Sequence, residues 1–201
     1  MGLGGGRGER DDYEWVRLAD LPAEPAPAPE PEPEPSVLGP ALRSLVREYP
    51  VWSGSGVTRV LLVDLDNLRA ERGRLRARME LVVELARQAD HVALAGQVGA
   101  VARARPWLAE FAARALAVAD GADVADHALL AAAEAVPGPV EVLVVSNDGI
   151  FADLAERGEL TVLSPGVDAL SDRLHGAADL LVDLAALERQ ALAAARDRLP
   201  G

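Results

Sequence analysis

From about residue 41 onward, short and almost wholly apolar runs alternate with stretches of helical periodicity. The runs fall at 57–63, "HVALAGQ" at 91–97, "ALAVAD" at 115–120, "VEVLVVS" at 140–146 and "LTVLSP" at 160–165. Between them the spacing predicts helices near 74–89, 101–114, 123–136 and 149–157, with a long amphipathic C-terminal helix over about 177–198. Strands apolar on both faces are covered on both sides, and parallel strands need crossover helices to join them. The expected fold is therefore a three-layer α/β/α domain around a five-stranded parallel sheet. In open sheets of this kind the ligand crevice lies beyond the carboxyl ends of the strands, where the strand order reverses.

Residues 1–40 differ in kind from the remainder of the chain. "GLGGGRG" predicts a flexible opening, and "LPAEPAPAPEPEPEPS" an extended, solvated polyproline-type linker that cannot pack a core. The expected division is an acidic tail and linker over 1–40 and one folded domain over 41–201. Tyr13, Trp15, Val16, Leu18 and Leu21 read either as a short docking segment or as part of a weakly ordered tail.

Composition narrows the chemistry. At 201 residues and 50% hydrophobic the chain can bury a sizeable core. It has no cysteine, which excludes disulfides and thiolate metal sites and fits a reducing compartment. No leader-like apolar region opens it and no run is long enough to span a bilayer, so the expected setting is the cytoplasm, with no membrane partner. All 20 basic residues are arginine, which excludes a P-loop lysine or a Schiff base. The net charge of -12 argues against broad nonspecific nucleic-acid binding, but residues 1–40 hold three Arg against nine Asp or Glu, half of that charge.

Three acidic clusters carry the candidate chemistry: "VDLDN" at 63–67, "GADVADHALL" at 121–130 and "VVSNDGIF" at 144–151. Each also reads as helix capping, with Asp66 or Asn67, Asp123, and Asn147 or Asp148 accepting orphan backbone N–H groups. Two of the clusters, however, close strands as apolar as "VLLV" and "VLVV", at the ligand-binding end of the sheet. Carboxylates gathered there repel one another and raise one another's pKa unless a cation neutralises them. Hard oxygen ligands suit Mg²⁺ or Mn²⁺, whose open positions accept phosphate oxygens and an activated water.

"VLLVDLDNL", then "GADVADHALL", then "VLVVSNDGIFADLAERGELTVLSPG" resembles, in order and approximate spacing, the NYN group of the PIN-like nuclease superfamily, over roughly residues 57–185. The resemblance implies a parallel sheet of order 3-2-1-4-5 and a metal-dependent ribonuclease site. It makes Asp64 the first-strand metal ligand with Asn67 as polar neighbour, Asp126 the helix ligand beside Leu129, and Asp148 the ligand after the fourth strand, with Ser146 and Asn147 shaping the turn. Asp64, Asp126 and Asp148 would be the catalytic set, on single-stranded RNA as substrate. Many members carry a further Asp where this chain has Ile150, so a binding-only descendant is also implied, unless Asp66 or Asp123 compensates.

Arg69, Arg72, Arg74, Arg76 and Arg78 follow the first acidic motif directly. They read as a phosphate-binding track, extended by Arg103 and Arg105, or as a solvated helix face paired with Glu71 and Glu80. Asp168 and Asp172 read as exposed bystanders. His91, His127 and His175 show no metal-ligand spacing, and Trp107 with Phe111 reads as packing. Leu180, Leu184, Leu187 and Ala191 form a stripe on the last helix that serves core packing or a homodimer contact. "DLDNL" also resembles the Asp-x-Asp nucleophile motif of haloacid-dehalogenase-like phosphatases, which usually need a later lysine that this chain lacks.

Overall fold

The computed structural model describes residues 16–17, 37–48, 51–53, 56–119, 121 and 123–197. In chain order they form β1 (Val16–Arg17), α1 (Leu38–Glu48), β2 (Thr58–Asp64), α2 (Arg72–Ala86), β3 (His91–Gln97), α3 (Val98–Ala104), β4 (Ala115–Val118), α4 (Val124–Glu134), β5 (Val140–Val145), β6 (Leu160–Ser164), α5 (Asp172–Ala177), β7 (Leu180–Asp183) and α6 (Leu184–Asp197). Tighter 3₁₀ turns occupy Arg105–Trp107, Ala109–Arg114, Gly149–Arg157 and Val167–Ala169. The glycine-rich opening, the Pro/Glu stretch, and Tyr13, Trp15, Leu18 and Leu21 lie outside the described residues.

The strands form one sheet in the order β1-β4-β3-β2-β5-β6-β7. β2 to β7 run parallel, and β1 pairs antiparallel with β4 through Val16↔Ala117 and Arg17↔Leu116. The expectation of five strands in the order 3-2-1-4-5 is corrected here: six parallel strands stand in the order 3-2-1-4-5-6. Side chains along the central strands alternate between two cores, as the pleat requires. Leu61, Val63, Leu143 and Val145 pack with residues of α1, α2, α3 and α6, while Val60, Leu62, Val142 and Val144 pack with α4, α5 and the turns at 149–157. Helices on both faces explain why these strands lack the polar alternation of a half-exposed sheet.

The sixth parallel strand is β7, which helical periodicity had assigned to the C-terminal helix. β6 is buried along its whole length, so its outer N–H and C=O groups need a partner. Leu180–Asp183 supplies one, in the register Thr161↔Leu180 to Ser164↔Asp183. The carboxylates at its two ends reinforce the change of element: Asp179 accepts from Leu160 N at 2.8 Å, and Asp183 accepts from Ala185 N at 2.9 Å at the start of α6. The expected long helix over 177–198 is thus a strand followed by a shorter helix. Leu184 and Ala191 are buried in the domain's own core with Leu187 packed against it, whereas Leu180 sits on the edge strand, 40% exposed. The helix expected over 101–114 likewise breaks after Ala104, where Pro106 enters.

Gly158 is required rather than tolerated. Its φ is +150°, and a Cβ there would meet the carbonyl oxygen of Val140 at 2.0 Å. Between α2 and α6, Arg78 donates from Nε to Glu188 Oε1 at 2.7 Å and from Nη2 to Oε2 at 3.3 Å, with both side chains almost fully buried. Such a pair fixes how α6 seats on the sheet, and removing one partner strands a buried charge. Glu188→Ala should therefore lower unfolding free energy by about 3–5 kcal/mol in a urea melt, and the double change Arg78→Met with Glu188→Leu should recover most of it. A loss under about 1 kcal/mol for Glu188→Ala would show that the pair is dispensable.

Candidate metal centre

β2 is the first parallel strand in the chain and stands between β3 and β5. The chain builds one half of the sheet outward from β2 and then returns to begin the other half at β5, so the order reverses between their carboxyl ends. Asp64 is the last residue of β2, and Ser146, Asn147 and Asp148 follow β5 at the same edge. Asp123 and Asp126 arrive on the start of α4, which packs over β2, β3 and β4. The topology alone gathers all three acidic segments.

Asp123, Asp126 and Asp148 each place a carboxylate oxygen within 4.8 Å of the other two, so this group can hold a metal ion. Asp126 is the centre of the arrangement. It is only 7% exposed, and among the described residues its carboxylate accepts no hydrogen bond and forms no ion pair. Burial, and then the negative charges of Asp64, Asp148, Asp123 and Asp66, push its pKa up to about 7.

Asp64 is held differently. Its Oδ1 accepts from Asp66 N at 2.9 Å and Asn67 N at 3.3 Å, while its Oδ2 accepts from Asn67 Nδ2 and from Ser146 Oγ at 3.2 Å. Burial raises its pKa, and these donors act against that rise. The structure thus brings Asp126 and Asp148 together with Asp123, and puts Asp64 beside them as a fixed, hydrogen-bonded charge outside the 4.8 Å group.

The capping alternative is settled residue by residue. Asp123 occupies the N-cap position of α4 but makes no capping bond; its backbone is left-handed, with φ 60° and ψ 6°, a conformation that Asp tolerates better than most residues. Asp148 does cap, accepting from Ile150 N at 3.0 Å through Oδ1. Neither Asp66 nor Asn67 caps α2, because Glu71 does so by accepting from Gly73 N and Arg74 N. Asp66 instead ties β2 to β3, accepting from Gln97 N at 2.7 Å beside Gly96, where a Cβ would stand 3.3 Å from its carboxylate.

Asn147 braces the turn after β5. Its Oδ1 accepts from Ser164 Oγ at 2.6 Å, its Nδ2 donates to Gly166 O at 3.2 Å, and its carbonyl accepts from Ser171 N at 3.0 Å. Sequence reasoning missed Ser164; its signal was a serine closing an otherwise apolar strand. Ile150 is half-buried against the core on the α4 and α5 side, so at that position the chain packs rather than ligates.

The arginine track is shorter than its sequence suggests. Arg78 is buried on Glu188, and Arg76 is half-buried, donating to Glu80 at 3.0 Å with its guanidinium 5.1 Å from the centre of the Trp107 ring. Helical spacing turned these two toward α6 and the neighbouring turns, so neither is presented at the cleft. Arg69, 3.1 Å from Asp66, and Arg72 are exposed near the carboxyl edge, with Arg74 exposed beside them and 3.4 Å from Glu188. Arg103 and Arg105 are exposed on α3 and the turn after it, Asp168 and Asp172 are exposed on the segment after β6 whose Gly166 and Ser171 bond Asn147, and the three histidines stay scattered.

Fold and site together define a three-layer α/β protein with a cluster of aspartates at the switch point of its sheet. No protein-family model matches the sequence, and no curated protein matches it. No helix among the described residues is long and apolar enough to cross a membrane.

The raised Asp126 carboxyl sets a pH dependence. The unfolded chain releases this proton near pH 4, while the folded metal-free protein keeps it to about pH 7. Stability should therefore be fully present below pH 4 and fall as pH rises toward 7, by on the order of 1–3 kcal/mol once solvent screening of this partly enclosed group is allowed for. In chelator, Asp126→Asn should remove the larger part of that slope and melt on the order of 5–10 °C above the parent at pH 8. Equal pH slopes in the two proteins would assign the titration to another group.

Proposed function

We propose that the chain is a divalent-metal-dependent ribonuclease that hydrolyses RNA phosphodiester bonds. The observation that carries this reading is Asp126: a buried carboxylate without a hydrogen-bond donor, crowded by four other aspartates at the ligand-binding edge of the sheet. A cation relieves that crowding, and the all-carboxylate oxygen set suits Mg²⁺ or Mn²⁺. Asp123, Asp126 and Asp148 would hold it, and when bound it supplies charge neutralisation at the phosphate and an activated water.

The chain's own groups do the rest. Asp64, held by Asn67 and Ser146, keeps a fixed negative charge beside the ligands and so favours the cation over a proton at Asp126. Ser146 also accepts from Asp148 N at 3.2 Å, which sets the ligand loop relative to Asp64. Arg69, Arg72 and Arg74 offer guanidinium groups along the rim for the backbone of an unstructured RNA strand. The resemblance in the three acidic segments favours RNA over other phosphodiesters. The phosphatase alternative has little support, since both oxygens of Asp64 already accept hydrogen bonds and no lysine exists to hold a phosphoryl group.

Ile150 favours a second reading, an RNA-binding module that keeps the cleft without efficient turnover. Single-stranded RNA incubated with the purified chain separates the two. Cleavage should require Mn²⁺ or Mg²⁺, stop with excess chelator, and fall at least about a hundredfold with Asp126→Asn or Asp148→Asn. RNA binding with metal affinity but no cleavage establishes the module reading instead, and cleavage that survives chelator refutes the metal centre.

A further inference from the structure

The turn that carries Asp148 is held from two sides, and one of the holds lies outside the three acidic segments. From the β2 side, Ser146 Oγ accepts from Asp148 N and donates to Asp64 Oδ2, each at 3.2 Å. From the other side the bonds come from β6 and the segment after it. Ser164 closes β6 and is fully buried. Its hydroxyl donates to Asn147 Oδ1 at 2.6 Å and accepts from Gly166 N at 3.2 Å.

These bonds leave the Asn147 amide one orientation. Its Nδ2 donates to Gly166 O at 3.2 Å. Turning the amide over would set Oδ1 against that carbonyl oxygen, two acceptors with no proton between them. The backbone on both sides of Asp148 is held as well. Asn147 O accepts from Ser171 N at 3.0 Å, and Gly149 lies so close to Ser171 that an added Cβ would meet its Oγ at 2.6 Å. The backbone register of β5 and β6 runs to Val144↔Val162. Past it, Ser164 and Asn147 continue the connection through side chains.

We propose that Ser164 is a positioning residue for the metal centre: acting through Asn147, it sets where Asp148 stands relative to Asp123 and Asp126, and thereby the affinity for a divalent cation. This role rests on the reading of those three aspartates as ligands. Ser164 bonds Asn147 and Gly166, not the carboxylates. The cap bond from Ile150 N to Asp148 Oδ1, at 3.0 Å, orients the carboxylate within its turn but travels with it. Placement of the turn on the sheet is what Ser164 and Asn147 supply. Magnesium demands near-octahedral oxygens at about 2.0–2.1 Å, so a small shift of one ligand is costly.

Titration of the full chain with Mn²⁺, followed by the free-ion electron paramagnetic resonance signal well below the melting temperature, reads affinity apart from stability. Ser164→Ala should weaken Mn²⁺ binding by about tenfold, as loss of a group that orients a ligand typically does. Ser164→Cys fills the same space with a weaker donor; it should fall between the parent and the alanine variant, and replaces the latter if alanine does not fold. Thr161 provides the control, being buried on the same strand with Oγ1 donating to Val51 O at 3.3 Å, at the opposite end. Thr161→Val should leave Mn²⁺ affinity within about twofold of the parent. Asn147→Ala should weaken binding as much as Ser164→Ala does, and the double variant no further. A change under about twofold for Ser164→Ala overturns the proposal and leaves the metal centre standing. So does an equal loss in Thr161→Val, or a double variant whose losses add. A parent chain that binds no Mn²⁺ overturns the metal centre itself and this role of Ser164 with it.

Discussion

Like-charge crowding around Asp126 is the constraint on which the arrangement of the cleft depends. Asp126 is 7% exposed as a residue and receives no hydrogen bond from the described residues, so its charge state is set by partial burial and by its acidic neighbours. Here every neighbouring charge has the same sign, and the backbone is arranged to sustain the crowding rather than relieve it. Asp123 adopts a left-handed conformation and leaves its helix uncapped by its side chain, and Asp64 is anchored by four donors. The crowding raises the free energy of the fully ionised cluster, the donors on Asp64 offset part of it, and a divalent cation would offset more.

The supports for this crowding come from the sheet. Parallel strands buried on both faces are stiff platforms, so side chains fixed at their ends stay where the backbone puts them. Asp66 bonded to Gln97 N locks the end of β2 to that of β3, while Asn147 bonded to Ser164 and Gly166 locks the end of β5 to that of β6. The polar network at the carboxyl edge therefore runs along four neighbouring strands. The clustered aspartates themselves make few bonds, and the residues beside them carry many.

Much of this was legible in the sequence, and the parts that were not share a physical cause. Five apolar runs marked five of the parallel strands, because a doubly covered strand has no other composition available. β7 was hidden because "LLVDL" satisfies helical and extended spacing equally, and only the open side of β6 decides between them. The carboxyl-edge location of Asp64 and Asp148 followed from chain order. The finer division, with Asp123 inside the 4.8 Å group and Asp64 outside it, depends on a single left-handed residue and on where Asn67 sends its amide. Arg78 could not be distinguished from Arg74 by spacing along the helix: both reach Glu188, and only the packing of α6 shows that Arg78 is the buried one.

The acidic total of the chain does not bar the phosphate-binding role proposed for it once position is considered. Half of the net charge lies in residues 1–40, and the exposed Arg69 stands 3.1 Å from Asp66, beside the acidic cluster. At physiological salt, exposed charges more than about 8 Å apart are largely screened from one another. Under the proposed function, an approaching RNA strand would be governed by the guanidinium groups nearest the cluster and by the charge state of its aspartates. With Asp126 ionised and no cation, those aspartates would repel a phosphate; a divalent ion among them would reverse that, as the proposed function requires. The sign of the local field is thus set by occupancy of one group of carboxylates, and the arginines alone do not decide it.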